Sequence, residues 1–483
     1  MELWLGVENF VNIQSAKVCI NQYAVLVGPN NSGKTFLMQL IQGMNKTWDS
    51  LLDGEPMEII LACRETPPRT ADEKQNIHEV YRINAHTMEL FTASINRRLR
   101  EEKENIVRRI FGKEIPIGNL YIELIPDDHC DYLVDAVYTL EQLHKISFFL
   151  DSDVEEVLTR ALSELPGSTM IYILSRHNRD THQRQYVYAR VSSGTDQAVS
   201  MNFFKMLLSF ILRMDGLFLP ASRTGLLMLY KEFFANQADR SMNYGIETSL
   251  MRKKELPNRD LTLPVYEFLR FLQTFSEYGN FTRRLEKELL FFERHVIEGH
   301  IDYGQHGNLT YSPRNEKENI PLFLASSMVN EVTPIELALI SENCYRQLII
   351  DEIEASLHPE KQTELVRFLN RIRKRGMSFI LSTHSDTFVS RLNNLYVISA
   401  NYPERISPDM LDRLGLEEAD LIDVNDLYVY EFVRQSHGKS VVKQIKGDPE
   451  KGFAFDLFTE TALKLFNEAT LIDEGLNGGR DQI

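Results

Sequence analysis

The stretch that most narrows what this chain can fold into is Val25-Leu26-Val27-Gly28-Pro29-Asn30-Asn31-Ser32-Gly33-Lys34-Thr35. An apolar, β-branched run ends in a loop bounded by two glycines, and Phe36-Leu37-Met38-Gln39-Leu40-Ile41 opens a helix directly after it. Strand, glycine loop and helix in that order predict a phosphate-binding loop. Backbone between Gly28 and Gly33 can wrap so that the N–H groups of Pro29's neighbours Asn30, Asn31 and Ser32 face phosphate oxygens, and the helix N-terminus adds partial positive charge. Lys34 then reaches the β- and γ-phosphates as a mobile point charge, and the Thr35 hydroxyl ligates a Mg²⁺ ion that bridges them.

The chain has 483 residues, enough for one large domain with insertions or for two to three smaller ones. With 53 basic and 69 acidic residues its net charge is −16, so it lacks a global attraction for nucleic acid or anionic lipid. Any DNA contact must come from a local basic patch. Cys19, Cys63, Cys130 and Cys344 lack metal-ligand spacing and fit a reducing cytoplasm. The N-terminus has no basic-then-apolar signal, and no apolar run approaches the roughly 18 residues needed to span a bilayer. No membrane role is expected.

Residues 1 to 27 alternate in a way that predicts a short antiparallel lead-in of strands. A helical pattern follows, and Ile77 to Phe111 reads as a long helical stretch carrying Arg97, Arg98, Arg100, Lys103, Arg108 and Arg109 among glutamates, either a DNA-contacting patch or a solvated face of mixed sign. Between Asn119 and Val191 short alternating runs predict an antiparallel β lobe with helix near 140 to 165. Gly216 to Leu219 reads as a buried strand entering the polar loop Pro220–Gly225, where Arg223 either faces a phosphate or anchors the turn. From about Leu226 to His300 the pattern is helical, with Tyr266, Phe268, Phe271 and Phe275 as core or interface. No heptad persists, which argues against a long coiled coil.

Leu348-Ile349-Ile350-Asp351-Glu352 is an apolar run capped by two carboxylates. Asp351 at the end of a buried strand can sit beside Thr35 and hold Mg²⁺ through its water shell. Glu352, pointing the next way along the strand, can take a proton from an attacking water as general base. One strand on, Phe379 to Thr383 ends at His384, placed to sense the γ-phosphate. The basic end of the intervening helix, Arg371, Arg373, Lys374 and Arg375, suits that helix's dipole.

This set of residues resembles the ABC-type ATPase heads of the SMC, RecF and OLD groups. Glu8-Asn9-Phe10 with Val25–Thr35 looks like their N-terminal strand and phosphate loop, and Leu348–Glu352 like their acidic strand. Ala355–His358 looks like their D-loop, and Thr383-His384 like their switch histidine. Leu324 to Glu331 occupies the place of the signature, departing from the common Ser-Gly-Gly form. Ala325–Glu331 and Pro220–Gly225 are similar to variants in bacterial ATPases of the AAA_15/AAA_21-like kind, many found in antiphage defence operons such as the PARIS, Septu and OLD-type systems. No Q-loop glutamine stands out.

The resemblance implies an α/β fold: an ABC-ATPase head with a mixed sheet around the phosphate loop, an antiparallel β lobe, a helical lobe and insertions, and no long coiled coil. Its parts would be 1–44, strands and phosphate loop; 45–115, helical insertion; 116–200, β lobe; 201–225, core helix and strand; 226–340, helical lobe with the signature-like motif; 341–400, acidic strand, D-loop and switch histidine; and 401–483, C-terminal strands, helix and tail. It further implies ATP and Mg²⁺ as ligands, a homodimer or a higher oligomer of dimers, and a shared site in which Ser326, Ser327 and the D-loop Ser356 of one copy meet nucleotide held by the other.

The function expected from the resemblance is a cytoplasmic ATPase that dimerises on ATP and controls a separately encoded effector in antiphage defence. OLD-type nucleases carry a further nuclease domain after the head, whereas about a hundred residues follow His384 here. Their acids Glu417, Glu418, Asp420, Asp423 and Asp426 lie in one stretch and read as solvated loop and edge strand rather than as a nuclease site. The alternative is a RecF-like ATPase of DNA repair whose clamp closes on duplex DNA.

Overall fold

The computed structural model describes residues 1–51, 79–126, 131–137, 139–140, 143–144, 152–164, 169–178, 183–193, 215–221, 223–247, 261–276, 284–303, 309–314, 319–343, 345–455, 463–464 and 466–472. Their strands are β1 (Glu2–Phe10), β2 (Ile13–Cys19), β3 (Tyr23–Val27), β4 (Glu79–Asn84), β5 (Asn119–Ile125), β6 (Asp131–Val137), β7 (Thr169–Asn178), β8 (Gln183–Ser193), β9 (Gly216–Leu219), β10 (Gly299–Tyr303), β11 (Leu309–Pro313), β12 (Ile320–Pro321), β13 (Gln347–Ile350), β14 (Ser378–Thr383), β15 (Leu427–Arg434) and β16 (Ser440–Ile445). The helices are α1 (Lys34–Leu51), α2 (Ala85–Phe111), α3 (Ser152–Glu164), α4 (Arg223–Glu247), α5 (Leu263–Gln273), α6 (Glu286–Phe292), α7 (Ser327–Ile340), α8 (Pro359–Lys374), α9 (Asp386–Asn401) and α10 (Pro408–Arg413). No helix among them is long and apolar enough to cross a membrane. The chain divides into two compact units, Met1–Asn9 with Cys19–Asn21 and Leu40–Gly216, and Phe10–Val18 with Gln22–Gln39 and Leu217–Ile483.

In the first unit β1 pairs antiparallel with β5, and β4, β6, β7 and β8 form an antiparallel sheet in that order. The helix expected over 77–111 begins only at Ala85, because Tyr81 and Ile83 alternate inward and pair with β6 as strand. Asn84 then starts α2 with a capping box: its side chain accepts from the Thr87 amide, and the Thr87 hydroxyl takes the Asn84 amide. Gly112 closes the helix in the left-handed conformation. One face of α2 is apolar and buried, through Phe91, Ile95, Leu99 and Ile106. Arg97, Arg100, Arg108 and Arg109 lie exposed on the other side, interleaved with exposed Glu101 and Glu104.

The second unit is built on strands in the order β2-β16-β15-β3-β14-β13-β9. Its centre is parallel, with β15, β3, β14 and β13 running together, while β16 returns antiparallel to β15. Every residue of β3, β13 and β14 is buried, which explains why these segments read as continuous apolar runs rather than as alternation. Parallel pairing sets the function-bearing register. Val27 lies opposite Thr383, and Ile350 opposite Leu381, so the residues that follow each strand leave from one edge of the sheet. The aromatics of α5 enter the core as expected, with Phe268, Leu269, Phe271 and Leu272 buried. The helical expectation for 201–214 lies outside the described residues.

In the acidic stretch 417–426, Glu417, Glu418 and Asp423 are exposed as a solvated loop predicts, whereas Asp420 departs from it. Asp420 is fully buried and takes hydrogen bonds from Arg367 (2.9 Å) and Arg371 (2.7 Å), while Arg373 pairs with Asp426 at 2.7 Å. At the basic end of α8, Arg371 and Arg373 are therefore neutralised by acids that follow the helix, and Arg375 by Glu288 at 2.8 Å, beyond any effect of the dipole. Burial alone would push the Asp420 carboxyl up, but the bonds from Arg367, Arg371 and the Glu417 amide outweigh it and hold the group below its ordinary range. A carboxyl that titrates lower folded than unfolded contributes stability that is complete above about pH 4 and is lost as pH falls through the folded value. Asp420→Asn should thus lower the unfolding free energy by about 3 kcal/mol at pH 7, since it removes the buried carboxylate shared by Arg367 and Arg371 and leaves them only Glu364 and Glu417. In urea titrations the gap from wild type should narrow toward pH 3; a gap unchanged with pH would contradict this ion-pair account.

Candidate functional site

The loop after β3 has the strained backbone that phosphate wrapping requires. Gly28 (φ 150°), Asn31 (φ 60°) and Gly33 (φ 106°) all have positive φ. A Cβ on Gly28 would come within 2.7 Å of the Phe432 Cβ, and one on Gly33 within 2.7 Å of the Ile13 side chain, so neither position accepts a larger residue. Asn12 donates to the Asn31 carbonyl at 2.8 Å, tying the loop to the turn between β1 and β2. Ser32 is buried within the loop, whereas Asn30 and Asn31 reach the surface. Lys34, 5% exposed, donates from Nζ to the carbonyls of Gly28 (2.9 Å) and Pro29 (3.0 Å). Burial lowers its pKa to about 8 against the opposing pull of Asp351, Glu352 and Glu354, which leaves it mostly charged at neutral pH.

Residues far apart in sequence meet at this loop. The Thr35 hydroxyl donates to Asp351 Oδ2 at 2.7 Å, and the Ser382 hydroxyl donates to the other Asp351 oxygen. Ser382 also accepts the Glu352 amide at 2.8 Å, so one hydroxyl at the end of β14 orients both acids. Glu352 itself departs from the strand-alternation expectation. β13 stops at Ile350, and Glu352 sits beyond it with φ 48°, aimed by a left-handed turn rather than by the pleat. It is largely exposed, and the burial it does have, then the charges of Asp351 and Glu354, raise its pKa above the ordinary carboxylate range. His384 follows Thr383, the register partner of Val27. Burial and the Lys34 charge lower its pKa, which favours a neutral ring.

Other predicted residues lie outside that cluster. Ser356 is exposed with φ 60° in the turn before α8. Ser326 caps α7, its hydroxyl accepting from the Val329 amide at 3.3 Å, and Ser327 opens the helix. Both are exposed at the N-terminus of a 14-residue helix, where backbone N–H groups face outward. For Arg223 the turn-anchoring alternative is the observed one: it is fully buried and donates to the carbonyls of Asp351 (2.7 Å) and Glu352 (3.1 Å).

Three contributors escaped the sequence reading. Glu354 accepts the His384 amide at 2.6 Å and so fixes where that ring starts. Ser382 organises the acids as described. Glu331 accepts from both the amide (2.7 Å) and the hydroxyl (2.6 Å) of Thr224. Glu354 and Ser382 each stand two residues from a motif residue, the one signal that could have drawn attention to them. The donor set fits a small hard cation: a threonine hydroxyl touching an aspartate, with further carboxylates beside them and one lysine among them.

Residues 337–390, which hold β13, the acidic turn, α8 and His384, match the family described as "AAA domain, putative AbiEii toxin, Type IV TA system". No curated protein matches the chain. Among solved structures, the SMC head domain from Thermotoga maritima is similar with 11% identity, covering 92% of this chain and 99% of that one at a TM-score of 0.32. The SMC head bound to the C-terminal winged-helix domain of ScpA has 10% identity, coverage of 92% and 97%, and a TM-score of 0.35. The Pyrococcus furiosus Smc head with an extended coiled coil, bound to the C-terminal domain of ScpA, has 11% identity, coverage of 97% and 98%, and a TM-score of 0.32. The family match covers the acidic turn and His384, and the Thr35–Asp351 contact joins that segment to the glycine-bounded loop; there is no long coiled coil among the described residues.

Proposed function

We propose that the chain is a Mg²⁺-dependent ATPase whose two copies close on ATP, acting as a cytoplasmic sensor or scaffold that controls a separate effector, a nuclease by preference, in antiphage defence. The observation that carries the enzymatic part is the 2.7 Å contact between Thr35 and Asp351 at a glycine-bounded loop that also holds Lys34. Thr35 and Asp351 are the residues that would hold Mg²⁺, which when bound would offset phosphate charge. The amides of Gly28 and of Asn30 to Thr35 cradle the phosphate oxygens, and Lys34 turns from the loop's own carbonyls to the β- and γ-phosphates. Glu352 takes a proton from water as the water oxygen bonds to the γ-phosphorus and the bond to the β-phosphate oxygen breaks, giving ADP and phosphate. His384, held at its amide by Glu354, offers a ring N–H to the γ-phosphate.

Ser326, Ser327 and Ser356 supply the second half of the site from the other copy. Support for this part is the exposure of the α7 N-terminus, where the positive end of the helix dipole suits an anion. The substitution Ser327→Arg tests it, because it places a bulky cation at the closing surface while leaving the phosphate loop intact. ATP affinity should stay within about twofold of wild type while turnover falls more than about tenfold. Full turnover would remove Ser327 from the site. A DNA-clamp reading has one observation in its favour, the exposed Arg97, Arg100, Arg108 and Arg109 of α2. Turnover stimulated by any duplex, and weakened by salt, would favour it over a phage-protein trigger.

A further inference from the structure

Arg223 is the most demanding residue in the second unit, a guanidinium with no solvent exposure at the first position of α4. A buried cation persists only when its donors are satisfied, and here nearly all of them point to one purpose. Nε donates to the Glu331 carbonyl on α7 at 2.9 Å. Nη1 donates to the Asp351 carbonyl at 2.7 Å and lies 3.3 Å from the Pro220 carbonyl, while Nη2 donates to the Glu352 carbonyl at 3.1 Å. The Glu331 carboxylate stands 3.7 Å from Nη2 and takes both donors of Thr224, whose hydroxyl also lies 3.4 Å from the Ser327 carbonyl. One planar fork thus joins the helix that begins at Ser327 to the two residues of the acidic turn.

Filling the core does not account for this choice, since an apolar side chain would fill the volume at lower desolvation cost. The left-handed Glu352 ends the strand ladder, so the Asp351 carbonyl draws its donor from outside the sheet, and the Glu352 carbonyl draws a second one beside the Ala355 amide, which it accepts at 3.0 Å. Arg223 supplies them from a group whose geometry cannot flex without breaking several bonds together. We infer that Arg223 is a positioning residue for Glu352, and that Arg223, Glu331 and Thr224 form a latch through which a shift of the α7 N-terminus moves the acidic turn. This rests on the reading that α7 meets nucleotide held by the second copy. Each copy's latch then connects the phosphate site it completes to the phosphate site it owns, and ATP turnover at the two sites becomes cooperative.

The test uses the full chain with Mg²⁺ and ATP, measuring equilibrium nucleotide affinity, kcat and the Hill coefficient of turnover. Arg223→Lys keeps the charge but cannot span the acceptors; Thr224→Val removes one hydroxyl and keeps the amide bond to Glu331. Wild type should turn over with a Hill coefficient above 1. Both variants should bind nucleotide within about twofold of wild type and lose cooperativity, and Arg223→Lys should also lose at least about tenfold in kcat. If Arg223→Lys fails to fold, the milder Thr224→Val decides. Wild-type kcat and cooperativity in the folded variants, a non-cooperative wild type, or a parallel loss of affinity and kcat would each overturn the latch. Ser327→Arg run alongside separates the two layers. Its full activity would bring down the shared site and the latch together, whereas its inactivity beside fully cooperative latch variants would bring down the latch alone.

Discussion

Lys34→Ala should lower ATP affinity by at least about a hundredfold, the loss expected when a charge-assisted contact to phosphate is removed from a site screened from water. The size of the effect follows from the surroundings. Asp351, Glu352 and Glu354 crowd the same loop, so without the lysine cation a polyanionic ligand meets three carboxylates. The substitution also leaves the carbonyls of Gly28 and Pro29 without their Nζ donor, so the loop itself is expected to loosen. Calorimetric titration with Mg²⁺ and ATP reads the affinity, and a thermal melt of the same sample tells loss of contact from loss of fold. Unchanged affinity in a folded variant would contradict the phosphate-loop assignment.

Glu352→Gln should leave ATP affinity close to wild type and reduce turnover by about a hundredfold to ten-thousandfold, the range that a general base contributes. Glutamine keeps the shape and the Glu352 amide bond to Ser382, and it meets the φ of 48° at similar cost, so the acidic turn should persist. What it removes is the ability to accept a proton. Single-turnover hydrolysis distinguishes a slowed chemical step from slow product release. Wild-type turnover in this variant would exclude Glu352 as the base.

The parts of the molecule legible in sequence are those whose physics is local. A continuous apolar run followed by two glycines and a helix start specifies β3, its loop and α1 within about twenty residues, because buried parallel strands and loops with positive φ have few alternative spellings. Asp351 is legible only together with that loop, since many strands end in acids and it is the pairing with Gly28–Thr35 that singles this one out. The features that escaped depend on partners remote in the chain. Arg223 reaches a carbonyl 128 positions away, and nothing near it distinguishes a buried anchor from a phosphate ligand. Asp420 looks like any surface acid until α8 places Arg367 and Arg371 against it. β4 hid inside a helical pattern because its alternation spans only six residues beside the long amphipathic α2. The direction of Glu352 was misjudged for a subtler reason: sequence shows where a strand's apolar run ends, but not the left-handed turn that follows.

On the proposed reading, ATP holds two copies of this chain together, each completing the other's site. Light scattering on the Glu352→Gln protein, with and without saturating Mg²⁺ and ATP, tests it most directly. A particle of one chain's mass is expected without nucleotide, and one of twice that mass, or an even multiple of it, with nucleotide. A particle that keeps one chain's mass while calorimetry shows ATP bound would contradict it.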